Sequence, residues 1–157
     1  MLRTEVVDSV DHPLIPIVRE LFREYSHELA IDLCFQGFEE ELAQLPGKYA
    51  PPMGVLTVVF DDDRPVACGA LRPHDDDACE LKRIYVRPTH RGLGLGRSIT
   101  VDLMDRAIQL GYAVVRLDTL RRLGPALKLY ESLGFQEITP YNFNPEPDVA
   151  YFERTLT

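Results

Sequence analysis

Apolar positions recur with two periods along this chain. Leu14, Ile17, Val18, Leu21, Phe22, Tyr25 and Leu29 fall on one stripe, with Arg19, Glu20, Arg23, Glu24 and Glu28 largely opposite. That spacing predicts an amphipathic helix, opened by Asp11-His12-Pro13 and secure from Pro16. A shorter helix is expected over 38–45, ended by Pro46-Gly47. Residues 31–36 between them are too short and too mixed to assign. A third helical stripe reads Ile99, Leu103, Met104, Ala107, Ile108 and Leu110, with Gly111 just past its end. Gly124-Pro125 sets up a fourth helix, and Gly134 closes it.

Strand-like runs fill the rest. Residues 3–8 form the first. Residues 54–60 and 66–71 read as a hairpin about Asp61-Asp62-Asp63-Arg64-Pro65. A polar connection at 73–77, with His74 in it, precedes a strand at 79–86 that Pro88 stops by removing a ladder donor. Residues 113–117 are expected to run parallel to it through a helical crossover. Residues 135–138 and 150–156 are the last two strands, joined by a proline-bearing loop at 140–148. The order β-α-α-β-β-β-α-β-α-β-β predicts one α/β domain over 1–157. Its sheet is mixed, with helices on its faces.

A chain of 157 residues with 45% hydrophobic content buries a sizeable core. A formal net charge of −8 argues against a general nucleic-acid partner. It is compatible with a cationic substrate through long-range attraction, and equally with a merely soluble surface. Three cysteines (Cys34, Cys68 and Cys79) show no metal-ligand spacing and fit reduced thiols in a cytoplasm. No metal is expected. The N-terminal Met1-Leu2-Arg3-Thr4-Glu5 carries no apolar signal core, and no apolar run approaches 18 residues. Neither secretion by that route nor a membrane partner is expected.

The chemistry concentrates between the strand at 79–86 and the helix after it. Gly92, Gly94 and Gly96 alternate there, flanked by Arg91 and Arg97. Without side chains to shield the backbone, successive amides can turn toward an anion. The helix start adds unsatisfied donors and a partial positive charge. The pattern reads as a phosphate or pyrophosphate cradle; the plain alternative is a flexible glycine turn. A Walker loop is absent. The dinucleotide fingerprint fails too, because Arg97 and Ile99 stand where its third glycine is required.

What remains is Arg-x-x-Gly-x-Gly, as Arg91, Gly94 and Gly96, after a strand ending Ile84-Tyr85-Val86-Arg87-Pro88. About thirty residues on stands Leu129-Tyr130-Glu131-Ser132-Leu133-Gly134-Phe135. Together these closely resemble the acyl-coenzyme A loop and the second motif, Leu-Tyr-x-x-Leu-Gly-Phe, of the GNAT superfamily of N-acetyltransferases. The resemblance covers roughly residues 54–156. It implies a central, mostly antiparallel mixed sheet flanked by helices. It also implies acetyl-CoA as acetyl donor, held by Ile84, Tyr85, Val86, Arg91, Gly92, Leu93, Gly94, Leu95, Gly96, Arg97 and Ser98. The acceptor it implies is a small-molecule amine, compatible with a cationic one, bound by a monomer or homodimer. A peptide amine, or a non-catalytic module that senses acyl-coenzyme A, stands as the alternative.

Acetyl transfer to an amine needs a base for the amine proton, stabilisation of the thioester oxygen, and a proton donor for the thiolate. The resemblance gives Glu80, eleven residues before Arg91, as the base. Alternation puts Glu80, Lys82, Ile84 and Val86 on one face. A glutamate turned inward there is expected to have a raised pKa; the alternative is a pairing with Lys82 or Arg83 at a strand edge. Tyr130, five residues before Phe135, is the implied acid. The alternative is a core stripe with Ala126 and Leu133. Family members often carry asparagine seven residues before this tyrosine, where this chain has Leu123. Glu24, Glu28, Asp32, Phe35 and Phe38 are candidates for an acidic, aromatic-edged acceptor pocket; the alternative is that Phe35 and Phe38 are core and the acids solvated. His90 is expected to be an exposed loop residue; Asp118 and Thr119 follow a strand end near the expected cleft, with capping or turn roles as the alternative.

Overall fold

The structure is a computed structural model that describes residues 1–30, 33, 37–75 and 77–156. Asp32, Cys34 and Phe35 therefore lie outside the described residues, and with them part of the expected acceptor pocket. The strands are β1 (Leu2–Val6), β2 (Val55–Asp61), β3 (Arg64–Pro73), β4 (Ala78–Val86), β5 (Val114–Leu120), β6 (Gln136–Ile138) and β7 (Val149–Thr155). The helices are α1 (Ile15–Leu29), α2 (Phe38–Ala43), α3 (Leu95–Gln109) and α4 (Gly124–Ser132). The element order matches the sequence pattern, with ends shifted by one to three residues.

Among the described residues one sheet runs in the order β1-β2-β3-β4-β5-β7-β6. Every neighbouring pair is antiparallel except β4 and β5, which run parallel as the crossover requires. Apolar side chains alternate to both faces, so each face carries its own core. On one, α1 brings Val18, Leu21 and Phe22 onto Leu56, Val58, Cys68 and Ala70. On the other, α3 brings Ile99, Leu103 and Ala107, and α4 brings Tyr130, onto Leu71, Leu81, Val115, Leu117 and Phe152.

Alternation along β4 breaks at one point. Ala70 pairs with Lys82 and Cys68 with Tyr85, so the single residue Gly69 faces both Arg83 and Ile84. Arg83 takes φ 61°, a conformation that few non-glycine residues adopt. The bulge reverses the faces beyond it. Cys79 and Leu81 share the α3 face with Ile84 and Val86, whereas Tyr85 packs with α1. Glu80 and Lys82 therefore do not share a face with Ile84 and Val86, contrary to simple alternation.

The same bend parts β4 from β5. Their ladder covers Ala78–Glu80 against Val114–Arg116, while β5 stays paired with β7 from Val114 to Leu120. Past Glu80 the two parallel strands separate. His90, beyond β4, is buried rather than exposed: its Nε2 lies 2.8 Å from Asp61 Oδ2 and its Nδ1 2.8 Å from Thr89 Oγ1. It ties the loop after β4 to the end of β2.

Gly69 is set by close packing. A Cβ there would stand 2.6 Å from Ile99 Cγ2, on a stiff branched side chain. Gly69→Ala is expected to destabilise the protein by about 1–3 kcal/mol, the usual cost of overpacking. Urea unfolding of the two proteins checks it; equal midpoints would show that α3 moves aside freely.

Candidate active site

The glycine loop ends at the start of α3. Gly92 and Gly94 have φ 78° and 80°, and Gly94 is the residue immediately before the helix. No side chain caps that end, and the first α-helical bond runs from the Ser98 amide to the Gly94 carbonyl. The amides of Leu95, Gly96 and Arg97 therefore lack an intrahelical partner, as at any helix start. A Cβ at Gly92 or Gly94 would meet nothing within 4 Å, and one at Gly96 would meet Leu129 Cδ2 at 3.7 Å. The loop is open on the side where an anion would approach, and it abuts α4. Leu93, Arg97 and Ser98 are exposed around it.

The two arginines behave differently from a pair of phosphate clamps. Arg91 turns back, donating from Nε to the Val86 carbonyl at 3.0 Å and pairing with Glu28. Arg97 donates to Ser132 Oγ at 3.0 Å, bridging α3 to α4. Arg91 thus fastens the loop to the end of β4 and to α1.

Where β4 and β5 part, a cleft of about 100 Å³ opens. Lys82, Arg83 and Ile84 line it from β4, Asp118 and Thr119 from β5, Tyr25 from α1 and Tyr130 from α4. Elements from opposite faces of the sheet meet in this gap. The Tyr130 ring is held edge-on by Phe135, with centroids 5.7 Å apart, and lies against Phe152 at 6.5 Å. Burial pushes its phenol pKa well above the ordinary value, and the negative charge of Asp118 adds to the shift. Burial likewise raises Tyr25 to about 12. Both phenols stay protonated throughout the neutral range.

Beside the cleft lies a chain of buried charges. Glu80 is 1% exposed. Its Oε1 accepts from Arg72 at 3.1 Å, and its Oε2 accepts from the Tyr141 hydroxyl at 2.6 Å. Tyr141 in turn packs edge-on against His74 and Tyr151. Arg83 grips Glu41 through two bonds of 3.0 Å and lies over the Phe38 ring. Lys82 Nζ lies 3.9 Å from Asp118 Oδ1. Burial acts to raise the Glu80 pKa, but the Lys82 charge, Tyr141 and Arg72 outweigh it and hold the carboxyl below its usual range. The expected upward shift is thus reversed: Arg72 and Tyr141 give the hydrogen bonds and the Lys82 charge acts on the same carboxyl. Burial lowers the Lys82 pKa, only partly offset by Asp118 and Glu80.

The expected acidic pocket on α1 is absent in the described residues. Glu24 bonds Arg87 at 2.6 Å and accepts from Tyr85 at 3.2 Å, Glu28 pairs with Arg91, and Phe38 is core.

Residues 15–135 match the family model described as the acetyltransferase (GNAT) family. The chain belongs to the GNAT family of acetyltransferases. An uncharacterized N-acetyltransferase of Schizosaccharomyces pombe is 42% identical over 139 residues, 87% of this chain and 85% of its own. An acetyltransferase from Streptococcus agalactiae shares the fold at TM-score 0.78 and 21% identity, covering 97% of this chain and 98% of its own. The protein yncA of Salmonella typhimurium, solved with its cofactor acetyl-CoA, does so at TM-score 0.70 and 20% identity, over 99% and 94%.

In this GNAT enzyme the carried-over residues divide into three groups. Tyr130 and Ile84 line the cleft; the Gly92–Ser98 stretch forms the open loop and helix start; Glu80 is sealed beneath Arg72 and Tyr141. Tyr85 and Val86 send their side chains into the two cores, which leaves their backbone for any contact with a ligand. Sequence reasoning missed Arg72, Tyr141 and Asn144. The last two belong to the loop Pro140-Tyr141-Asn142-Phe143-Asn144-Pro145, whose mixed aromatic and polar residues carry no periodic signal. Leu123, at the position where asparagine is usual, lines the cleft with an apolar side chain.

Glu80 supplies a test by linkage. A carboxylate whose folded pKa is depressed stabilises the fold above its unfolded pKa of about 4.3 and loses that contribution as pH falls through the folded value. Glu80→Gln is expected to cost about 1–3 kcal/mol at pH 7, and the gap should narrow below about pH 4. Urea unfolding at pH 7 and pH 3.5 measures it. A gap that stays constant with pH would contradict the depressed pKa.

Proposed function

We propose that the chain transfers an acetyl group from acetyl-CoA to a primary amine by direct attack in a ternary complex. The observation that carries this reading is the Tyr130 hydroxyl in a cleft where two parallel strands part, adjoining an uncapped, glycine-opened helix start. The backbone of Gly92, Gly94 and the first turn of α3 would receive the pyrophosphate, and the unpaired stretch of β4 the arm of the coenzyme. The bulge leaves the backbone of Ile84 to Val86 clear of β5, where it can meet the thioester carbonyl.

The acceptor ammonium loses one proton, and the nitrogen lone pair then forms the C–N bond. Collapse of the tetrahedral adduct breaks the C–S bond, and Tyr130 gives its proton to the departing thiolate. The proton that the nitrogen sheds as the amide forms restores the phenol. Glu80 stays ionised and holds Tyr141 and Arg72 at the acceptor end; sealed as it is, it does not meet the amine directly. Cys68 and Cys79 are buried free thiols, which fits a reducing, cytoplasmic setting. Among the described residues no helix is long and apolar enough to cross a membrane.

Two substitutions separate binding from chemistry. Gly96→Asp puts a carboxylate in the first turn of α3, where it suits the helix dipole but repels phosphate. It should weaken coenzyme A binding roughly tenfold or more by calorimetry, with the circular dichroism unchanged. Unaltered affinity would remove the helix start from the site. Tyr130→Phe keeps the ring packing and removes only the hydroxyl. Turnover, followed as thiol release, should fall about 10- to 100-fold or more while coenzyme affinity is nearly kept. Full activity would make Tyr130 a packing residue.

A further inference from the structure

We propose that the acceptor is a small amine carrying a carboxylate beside its amino group, an amino-acid-type acceptor, with its ammonium on Asp118 and its carboxylate on Lys82. This deepens the acetyl-transfer reading and rests on it. Asp118 lies in β5, in the stretch that β4 has left, and lines the same cleft as Tyr130. Its Oδ2 is buried and, among the described residues, accepts no hydrogen bond. Its Oδ1 stands 3.9 Å from Lys82 Nζ, at the limit of an ion pair.

The neighbouring carboxylates are closed by contrast. Glu41 is held twice by Arg83 at 3.0 Å, Glu24 by Arg87 at 2.6 Å, and Glu80 by Arg72 and Tyr141. A buried carboxylate oxygen without a donor is costly until a donor arrives. A donor of opposite charge, such as an ammonium, suits it best. The charge of Lys82 then decides between kinds of amine. A simple amine or a polyamine bound at Asp118 would set a second cation beside the Lys82 ammonium in a low-dielectric site. An acceptor with an adjacent carboxylate brings its own compensation, and its two charges match those of the wall. A peptide N-terminus, whose carboxyl is an amide, does not.

The assignment also gives the first proton a destination. Asp118 takes one proton from the ammonium, the nitrogen attacks, and the remaining bonds change as in the acetyl transfer above. Asp118 returns its proton to water as product leaves.

The experiment is thiol release by the full chain with acetyl-CoA and matched acceptor sets. Each set holds an amino acid, its amide and its decarboxylated amine: L-phenylalanine, L-phenylalaninamide and phenethylamine; L-alanine, L-alaninamide and ethylamine; L-lysine, L-lysinamide and cadaverine. The amino acid should exceed both relatives at least tenfold in kcat/KM in the set whose side chain fits. An amide or amine equal to or better than its amino acid overturns the proposal. So does a chain that binds acetyl-CoA and acetylates no amino acid. A wild-type chain that does not bind acetyl-CoA fails at the earlier reading instead, and takes this one with it. Lys82→Met, with circular dichroism as folding control, should bring the amino acid-to-amine ratio toward one at unchanged acetyl-CoA affinity. Asp118→Asn should raise KM for the amino acid about tenfold or more. A ratio or a KM that stays at the wild-type value overturns the assignment of that residue.

Discussion

One extra residue in β4 governs the site. With perfect alternation β4 would continue along β5, and the sheet would be closed where the cleft now lies. The bulge opposite Gly69 turns Arg83 into a left-handed conformation and bends the strand away after Glu80. That bend has three consequences. It frees a stretch of β4 and β5 from each other. It lets tyrosines from opposite faces, Tyr25 and Tyr130, reach one cavity. It also turns Lys82 and Arg83 toward the α1 side, where each finds a carboxylate. Gly69 belongs to the same device, since α3 presses on it closely enough to exclude even a methyl group.

Burying so many charges beside one cleft is tolerable because nearly every one is matched. Isolated buried ions are costly, and removing one member of a pair costs more than the pair contributes. Arg83–Glu41, Arg72–Glu80 and Arg87–Glu24 also join different elements, β4 to α2, β3 to β4, and the residue after β4 to α1. Their geometric selectivity fixes how the helices sit over the bent strand. Asp118 departs from the pattern, with a buried oxygen lacking a donor. Among the described residues Tyr49 and Asp148 also keep a buried oxygen without a hydrogen-bond partner, but of the three only Asp118 lines the cleft, and there such an orphan fits the proposed acceptor.

The chain stated its fold plainly because its periodicities are long and its breaks are chemically clear. Pro88 ends β4, Gly111 and Gly134 take positive φ after α3 and α4, and the α1 stripe meets the core it predicts. The glycine loop was legible for the same reason: a run of small residues before a helical stripe has few other uses. The bulge was not legible. Nothing in Glu80-Leu81-Lys82-Arg83-Ile84-Tyr85-Val86 announces a doubled residue, so period-two counting carried past it and put Ile84 and Val86 on the wrong face. The same blindness reversed the expected pKa of Glu80. Burial could be anticipated, and Lys82 stood two residues away in the same strand, but Arg72 and Tyr141, which add to its charge, arrive from a neighbouring strand and a distant loop. The His90 contact with Asp61 is non-local in the same way.

Net charge is a poor guide to the charge around the cleft for a related reason. The excess of acidic residues in the whole chain gives −8, but the cleft does not share it. Around the parting of β4 and β5, among the described residues, Arg72, Lys82 and Arg83 stand against Glu80, Asp118 and Glu41, three charges of each sign. The α1 carboxylates Glu24 and Glu28, instead of extending the acidic field, are drawn onto Arg87 and Arg91. Long-range attraction for a cation therefore fades where the chemistry happens, since screening confines surface charge to about 10 Å at ordinary ionic strength. Inside that distance the choice of ligand falls to individual buried groups and their unfilled hydrogen-bonding capacity. On the proposed reading, a site of balanced charge favours a guest of balanced charge however acidic the surface around it.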